Sequence, residues 1–214
     1  MKAIIFDLDG TLLNTLEDLA DATNWALCKN GMPERALEEV RQFVGNGVRK
    51  LIERAVPDGE ENPLFEQTFE DFKRYYVVHC QDKTCLYDGV GEMLHALKER
   101  GFLLAIVSNK LQAGVDELYE RYFKDTVAVA VGERPEIQRK PAPDMVELAL
   151  QALGVTKEEA VYVGDSDVDL QTARNSGLPC ASVLWGFRDK DFLLEHGATT
   201  LIASPSDLVN LLTC

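Results

Sequence analysis

Two carboxylates end the first apolar run of the chain. The run Ala3–Phe6 leads into Asp7, and Asp9 stands two residues further on, directly before Gly10 and Thr11. A carboxylate can serve as a nucleophile, as a general acid or base, or as an oxygen ligand for a metal ion. Two carboxylates at one strand end can divide these tasks between them. The spacing therefore predicts a reactive site where this strand ends.

Polar side chains also follow the later apolar runs of the chain. These residues are Ser108, Asn109, Lys140, Asp165 and Asp169. In open α/β sheets, ligands bind outside the carboxyl ends of the strands, so we expect the aspartates after the first and fourth runs to converge there. Like charges a few ångströms apart raise one another's pKa values, so such a cluster needs cations.

Two cations could neutralise the predicted carboxylate cluster. Lys140 is one, and a divalent metal ion bound by oxygen atoms is the other. Mg²⁺ fits because it leaves room for a phosphate oxygen and for water, whereas the absence of His and Cys from these strand exits disfavours zinc. A phosphate dianion would also need hydrogen-bond donors, which Thr11, Ser108, Asn109 and the backbone amides after the first strand could supply.

Strands and helices alternate along most of the chain. Six apolar runs are continuous rather than alternating, which predicts strands buried on both faces of a parallel sheet. These runs are Ala3–Phe6, Phe102–Val107, Val127–Val131, Ala160–Val163, Ala181–Leu184 and Thr200–Ile202. Helical spacing lies between them, for example from Val90 to Leu97; Thr156 and Glu159 form a capping box, and Ser166 suits a helix N-cap. The alternation predicts a doubly wound, Rossmann-like α/β fold.

One long stretch contains no convincing strand. Four helical patterns follow one another between residues 15 and 82, interrupted at Asn30-Gly31, at Gly45-Asn46-Gly47 and at Pro57-Asp58-Gly59. The last pattern carries an aromatic face from Phe65 to Tyr76, which we expect to be core. We therefore predict that residues 1–14 and 83–214 form the α/β core domain and that residues 15–82 form an inserted, small α-helical domain.

Composition narrows the partners and the compartment. The 214 residues carry a formal net charge of −14, which repels nucleic acid and anionic lipid, and no apolar stretch is long enough for a membrane span. We therefore expect neither nucleic acid nor a membrane as a partner. Five cysteines without a CxxC pair favour a reduced, cytoplasmic location; they are Cys28, Cys80, Cys85, Cys180 and Cys214. A monomer and a homodimer both remain open.

Taken together, the motifs resemble a known family. DxDGT after the first strand, SN after the second, a loop containing KP, and GDSDVD after the fourth are similar to the four motifs of the haloacid dehalogenase-like (HAD) superfamily, in its phosphatase branch. The helical insertion resembles the cap called C1. Stretches such as DGVGEMLHALKERGFLLAIVSNK further resemble phosphoglycolate phosphatases and their close relatives.

The resemblance implies catalytic roles for four residues. Asp7 would be the nucleophile and would form an aspartyl-phosphate. Asp9 would be the general acid for the leaving alcohol and then the general base for water. Ser108 would donate a hydrogen bond to the phosphoryl oxygens. Lys140 would neutralise charge on Asp7 and on the phosphoryl group.

The resemblance also implies Mg²⁺ as the cofactor. Its ligands would be the Asp7 carboxylate, the Asp9 backbone carbonyl and Asp165. Asp169 would lie in or just behind the ligand shell, and its spacing of four residues from Asp165 would place both on one side of a helical turn. The implied substrate is a small phosphorylated metabolite, with phosphoglycolate as the leading candidate.

Four residues have two interpretations each. Arg49 and Lys50 begin a predicted helix of the insertion, where cations oppose the helix dipole. They therefore either bind the distal, anionic part of a substrate, with Arg49 as the candidate, or are solvated. Asn109 either contacts the phosphate or serves a turn. Arg188 either faces the rim of the site or pairs with a surface acid.

Several rival functions remain open. Within the superfamily they are a pyrophosphatase, a nucleotidase, and a sugar-phosphate phosphatase or mutase. Asn14 stands where many phosphoglycolate phosphatases have Asp, and Thr11 is typical of hydrolases where β-phosphoglucomutases carry Val. A dehalogenase is disfavoured because that branch uses no metal and lacks the second Asp of the DxD pair. A non-enzyme, either a phospho-acceptor or a phosphate-binding signalling protein, is the alternative of a different class.

Overall fold

The chain divides into two units in the computed structural model, which describes residues 1–213. Unit 1 comprises Met1–Leu13 and the chain from Leu86 onward, and unit 2 comprises Asn14–Cys85. The first boundary lies one residue before the predicted one, and the second lies three residues after it. Cys214 lies outside the described residues, and the other four cysteines are free thiols.

Unit 1 contains a six-stranded parallel sheet. Among residues 1–213 there are eight strands, and they are β1 (Ala3–Phe6), β2 (Leu13–Asn14), β3 (Cys85–Leu86), β4 (Leu103–Leu111), β5 (Val129–Glu133), β6 (Ala160–Gly164), β7 (Cys180–Val183) and β8 (Leu201–Ile202). The sheet has the order β5-β4-β1-β6-β7-β8, with every neighbouring pair parallel. The two-residue strands β2 and β3 pair with each other where the chain enters and leaves unit 2, and they are too short to give a sequence pattern.

Helices flank the sheet on both faces. The helices of unit 1 are α5 (Val90–Glu99), α6 (Gln112–Tyr122), α7 (Asp144–Leu153), α8 (Asp167–Ser176), α9 (Lys190–Glu195) and α10 (Pro205–Thr213), and those of unit 2 are α1 (Leu16–Lys29), α2 (Leu37–Phe43), α3 (Val48–Ala55) and α4 (Phe65–His79). The capping box at Thr156 and Glu159 opens a short 3₁₀ helix, Lys157–Glu159, as predicted. Within the described chain, no helix is both long and apolar enough to cross a membrane.

Alternate residues of β1 serve two hydrophobic cores. Ile4 and Phe6 pack in one cluster with α5, α6 and α10, whereas Ile5 packs in the other with α7. All four residues of β1 are fully buried, because β4 and β6 flank it and helices cover both faces. This arrangement confirms the predicted doubly wound α/β fold.

The topology reverses beside β1. The sheet continues from β1 to β4 on one side and from β6 to β7 on the other, so the chain leaves β1 and β6 in opposite directions. A crevice opens at such a switch point, outside the carboxyl ends of the two strands. Asp7 and Asp165 directly follow these two strands. The topology therefore brings the two candidate motifs together.

Unit 2 has a core of its own. Phe65, Phe72 and Tyr76 of α4 are buried, while Phe69 is half-buried. The buried carboxylate of Asp71 on α4 accepts hydrogen bonds at the C-terminus of α1 from Lys29 Nζ at 2.7 Å and from the side chain of Asn30 at 3.1 Å. These hydrogen bonds, chiefly the one from Lys29, hold the pKa of Asp71 at about 2. Asp71 therefore fixes α4 to the end of α1.

We expect Asp71→Asn to lower the free energy of unfolding of unit 2 by about 1.5–3 kcal/mol at pH 7, because charged hydrogen bonds contribute about that much. Since folding lowers this pKa, the stabilisation is present above the unfolded value of 3.8 and is lost as the pH falls through about 2. Urea unfolding should therefore show a smaller difference in the free energy of unfolding between variant and wild type at pH 3 than at pH 7. Glu70→Gln, which removes an exposed carboxylate of the same helix, is the control and should change little.

Candidate active site

Lys140 joins the two strand exits through a buried ammonium group. It lies in the segment between β5 and α7, and its side chain is 3% exposed. Its Nζ donates to Asp7 Oδ1 at 2.7 Å and to Asp169 Oδ1 at 2.8 Å. Burial lowers the pKa of Lys140, but the charges of Asp169 and Asp7 outweigh burial and hold the pKa above its usual value. Lys140 is therefore a cation at neutral pH.

Tyr162 is a part of this cluster that sequence reasoning missed. Its hydroxyl donates to Asp169 Oδ1 at 2.9 Å and accepts from Lys140 Nζ at 3.1 Å. Burial, and then the charge of Asp169, raise the pKa of Tyr162 well above its usual value, so the hydroxyl keeps its proton. A signal was present in the sequence: Tyr162 is the single hydroxyl in the apolar strand Ala160–Gly164, and a buried hydroxyl needs a partner.

Asp169 holds the start of α8 in place. Its Oδ2 accepts from Ser166 Oγ at 2.6 Å and from the backbone amides of Ser166 at 3.1 Å and Asp165 at 3.3 Å. Ser166 is the N-cap of α8, as predicted, and its Oγ in turn accepts from the Asp169 amide. The Asp169 carboxylate therefore accepts five hydrogen bonds within the protein, more than that of Asp7 or Asp165, which leaves Asp7 and Asp165 as the carboxylates better placed to reach a ligand.

Asp165 is held from two other segments. Its Oδ1 accepts from Thr11 Oγ1 at 3.1 Å, and its Oδ2 accepts from the Phe187 amide at 2.7 Å. Burial, reinforced by the charge of Asp169, raises the pKa of Asp165 to about 7. Thr11 is fully buried. Its hydroxyl therefore points to Asp165, and a substrate contact by Thr11 stays a prediction.

Two glycines make room for the Asp165 carboxylate. Gly10 adopts φ +93°, and a Cβ built on it would lie 2.5 Å from Asp165 Oδ2. A Cβ on Gly186 would collide with the Asp165 side chain and would lie 2.5 Å from the Gly10 carbonyl oxygen. A side chain at either position would displace the carboxylate. Gly186, in the segment after β7, is a second requirement of the site that the sequence did not reveal.

Asp9 lies in a compact loop beside Ser108. The Leu8 carbonyl accepts from the amides of Leu12 and Leu13, both at 3.0 Å, and this turn follows directly from β1. Asp9 Oδ2 accepts from Ser108 Oγ at 3.4 Å, whereas Asp9 Oδ1 is buried and has no hydrogen-bond partner in the described chain. Lys110 Nζ lies 3.8 Å from this oxygen and was not predicted as a site residue.

Asn109 contacts the backbone of Lys140. Its Nδ2 donates to the Lys140 carbonyl at 3.1 Å, and its Oδ1 accepts from the Lys140 amide at 2.8 Å. Both ends of the carboxamide are therefore committed to the Lys140 backbone. Asn109 therefore fixes the position of the lysine, and a contact between Asn109 and a phosphate stays a prediction.

The basic residues with two interpretations pair with acids. Arg188 is buried, and its Nε lies 3.8 Å from Asp167 Oδ1. In unit 2, Arg49 donates to Glu66 Oε1 at 2.6 Å and to Glu60 Oε1 at 2.9 Å. Lys50 pairs with Glu53 in the same way at 2.5 Å. The anions beside Arg49 and Lys50 thus come from unit 2 itself, so these charges give no reason to place a substrate there, and a substrate contact by Arg49 stays a prediction.

The carboxylates of unit 1 fit a hard divalent cation. Asp7, Asp165 and Asp169 each offer an oxygen, and the three oxygens lie within 4.8 Å of one another. Oxygen ligands with few protein carboxylates suit Mg²⁺, which usually keeps several waters. Burial, and then the charge of Asp169, raise the pKa of Asp7 well above its usual value, and a divalent cation would oppose this effect. The donor set therefore matches the predicted cofactor.

The fold and the site define a class: a Rossmann-like α/β protein with a carboxylate and lysine cluster at the switch point of its sheet. The chain matches the family model of haloacid dehalogenase-like hydrolases over residues 4–183. It belongs to the haloacid dehalogenase-like hydrolase family, which confirms the resemblance drawn from its motifs.

Individual relatives cover nearly the whole chain. A phosphoglycolate phosphatase of Aquifex aeolicus is 33% identical over 99% of this chain and 97% of its own length. An N-acetylmuramic acid 6-phosphate phosphatase of Pseudomonas aeruginosa is 28% identical over 99% of this chain and 95% of its own length. The crystal structure of a provisional phosphoglycolate phosphatase from Lactobacillus delbrueckii subsp. bulgaricus has a TM-score of 0.94 and 36% identity, and the match covers 98% of this chain and 97% of that chain.

We expect Tyr162→Phe to lower the free energy of unfolding of unit 1 by about 1.5–3 kcal/mol, because the lost hydroxyl bonds to a carboxylate and an ammonium. Tyr119→Phe is a matched control, since the Tyr119 hydroxyl donates to a neutral acceptor, the Val127 carbonyl, at 3.0 Å. That control should cost about 0.5–1.5 kcal/mol. Urea unfolding of both variants measures the two decreases in the free energy of unfolding. Equal decreases would show that the charged partners of Tyr162 do not strengthen its hydrogen bonds.

Proposed function

We propose that the chain is a Mg²⁺-dependent phosphatase that hydrolyses a phosphomonoester of a small metabolite through a phosphorylated Asp7. One observation carries the proposal: a charged, buried lysine holds Asp7 at the switch point while the neighbouring Asp9 keeps a carboxylate oxygen without a hydrogen-bond partner. The pair therefore offers a fixed carboxylate for attack and a second one that can carry a proton.

The proposed metal ligands are the Asp7 carboxylate, the Asp9 backbone carbonyl and Asp165. We place Asp169 behind them, because its side chain is 1% exposed and its carboxylate already accepts five hydrogen bonds, from Lys140, Tyr162 and the start of α8, whereas that of Asp165 accepts two. When bound, Mg²⁺ would neutralise the carboxylates and withdraw charge from the phosphoryl oxygens. The four carboxylates and Lys140 alone would otherwise repel a dianion.

Asp7 supplies the nucleophile. Lys140 donates to its Oδ1, so its other carboxylate oxygen is the one placed to attack phosphorus. A bond forms between that oxygen and phosphorus as the bond from phosphorus to the ester oxygen breaks. The side chain of Asp7 is 10% exposed and that of Asp169 is 1% exposed, which agrees with attack by Asp7.

Asp9 moves the protons. Its carboxyl group gives a proton to the ester oxygen as the alcohol leaves, and the resulting carboxylate then takes a proton from the water that attacks the aspartyl-phosphate. The second step breaks the new bond to phosphorus and returns Asp7 and Asp9 to their starting states. The side chain of Asp9 is 19% exposed, so an ester and a water molecule can reach it. Ser108 is placed to orient Asp9 and the phosphoryl oxygens.

The substrate class rests on the relatives. Those named phosphoglycolate phosphatase favour a short phosphorylated hydroxy acid, and the one named for N-acetylmuramic acid 6-phosphate favours a sugar phosphate as the second candidate. Turnover of phosphoglycolate and of N-acetylmuramic acid 6-phosphate under identical conditions decides between them. We further propose that the chain acts in the cytoplasm, with a small phosphorylated metabolite as its partner.

Metal removal tests the cofactor. We expect EDTA to abolish turnover of p-nitrophenyl phosphate and added Mg²⁺ to restore it, because the carboxylate cluster needs a divalent cation before it can admit a dianion. Release of p-nitrophenol is measured by absorbance after each addition. Unchanged turnover in EDTA would contradict the metal assignment, and a chain without turnover under any condition would favour a phosphate-binding protein instead.

Asp7→Asn tests the nucleophile. The carboxamide keeps the shape but cannot form the aspartyl-phosphate, so we expect turnover to fall by at least about 10³-fold. Thermal unfolding should show that the variant still folds, since Lys140 keeps its contact with Asp169. Asp167→Asn is the control, because it neutralises a half-exposed carboxylate of α8 and should leave turnover nearly unchanged. Substantial turnover by Asp7→Asn would show that another group attacks phosphorus.

A further inference from the structure

We propose that Lys110 is a positioning residue that holds the Asp9 carboxylate against the leaving group. The inference rests on the proposed function, because it concerns the acid of that reaction. Lys110 Nζ lies 3.8 Å from Asp9 Oδ1, and its side chain is 8% exposed. This oxygen is buried, and none of the described residues donates a hydrogen bond to it. A long contact of this kind can shorten when substrate binds.

An irregularity in β4 turns Lys110 towards the site. The register runs evenly to the pair Val107 and Val131 and resumes at the pair Leu111 and Glu133, so four steps along β4 match two along β5. The extra residues form a bulge, a device that redirects side chains beside functional sites. The Lys110 amide donates to Ser108 Oγ at 3.1 Å within this bulge. Ser108 and Lys110 thereby reach opposite oxygens of Asp9 from one turn.

Two glycines accommodate the bulge and the lysine. A Cβ on Gly132 of β5 would lie 2.8 Å from the Lys110 carbonyl oxygen and 2.7 Å from Gln112 Cα, which are backbone atoms that cannot move aside easily. A Cβ on Gly114 of α6 would lie 3.3 Å from Lys110 Cε. The neighbouring elements therefore leave space for the bulged backbone and for the lysine stem. A lysine that extended into solvent would not need the space beside Gly114.

The position of Lys110 differs from that of Lys140 in a way that predicts different roles. Lys140 contacts Asp7 and Asp169, whereas the site carboxylate that Lys110 approaches is that of Asp9. An ammonium beside Asp9 restrains the carboxylate that delivers the proton. Its loss should therefore matter most for esters whose leaving oxygen needs that proton, and least for esters whose leaving group departs as a stable anion.

The test compares three esters on Lys110→Met. Phosphoglycolate and ethyl phosphate have alcohol leaving groups that need a proton, and p-nitrophenyl phosphate does not. We measure kcat/KM, which reports phosphoryl transfer to Asp7 and not the later attack of water, a step that all three esters share. We expect kcat/KM for the first two esters to fall on the order of 10²-fold, the size of effect that a misplaced group produces. The kcat/KM for p-nitrophenyl phosphate should change little. Lys110→Arg, which keeps the charge, should recover most of the loss.

Matched variants keep the result interpretable. Lys124→Met removes a lysine at a similar distance from a carboxylate, 3.9 Å, but that lysine is 56% exposed. This substitution should therefore leave the turnover of all three esters unchanged. Thermal unfolding checks that Lys110→Met folds. If Lys110→Met does not fold, Lys110→Gln takes its place in the same comparison. Asp9→Asn should show the same dependence on the leaving group as Lys110→Met, with a larger loss.

The outcomes separate this inference from the proposed function. A wild-type chain that hydrolyses none of the three esters would overturn the proposed function. A working phosphatase in which Lys110→Met lowers kcat/KM equally for all three esters would overturn the positioning role, and so would a Lys110→Arg variant with a kcat/KM no higher than that of Lys110→Met. A rise in KM confined to phosphoglycolate would also overturn it, because it would show that Lys110 binds the substrate carboxylate instead.

Discussion

The site depends on one buried ammonium group, that of Lys140. The aspartates after β1 and β6 are drawn to one crevice by the sheet topology, and without a cation between them their repulsion would oppose the fold that brings them together. Lys140 in turn cannot be buried alone, because an unpaired charge in the interior is strongly unfavourable. The lysine and its carboxylates therefore stabilise each other, and Tyr162 and Asn109 fix the lysine by its two ends.

Much of the fold follows from simple regularities of the sequence. The six predicted strands are the six strands of the sheet, because continuous apolar runs are what a sheet buried on both faces requires. The helices of the insertion end near the glycines and asparagines that interrupt their patterns. The extension of β4 past Val107 was not foreseeable, since Ser108 and Asn109 resemble a loop and the strand continues only because Leu111 pairs with Glu133 of β5 beyond them.

The site was predicted in its composition more than in its contacts. Asp7, Asp165 and Lys140 meet because strand exits meet, which is a property of the topology. The direction of Thr11 and the partner of Asn109 depend on loop geometry that no local pattern encodes. Arg49 shows the same limit, because the glutamates that pair with it come from residues 11 and 17 positions away and could not be matched to it by helical spacing.

Gly186 joins segments that lie far apart in the sequence. Its missing side chain is the space into which Asp165 fits, and its Cα faces the carbonyl of Gly10, so the loops after β1, β6 and β7 share a single contact point. A larger side chain in any one of these three loops would require both of the other loops to move. Single substitutions at this contact point therefore rarely leave a folded site that could catalyse a different reaction. Changes in substrate preference must come from residues that are not packed into this contact.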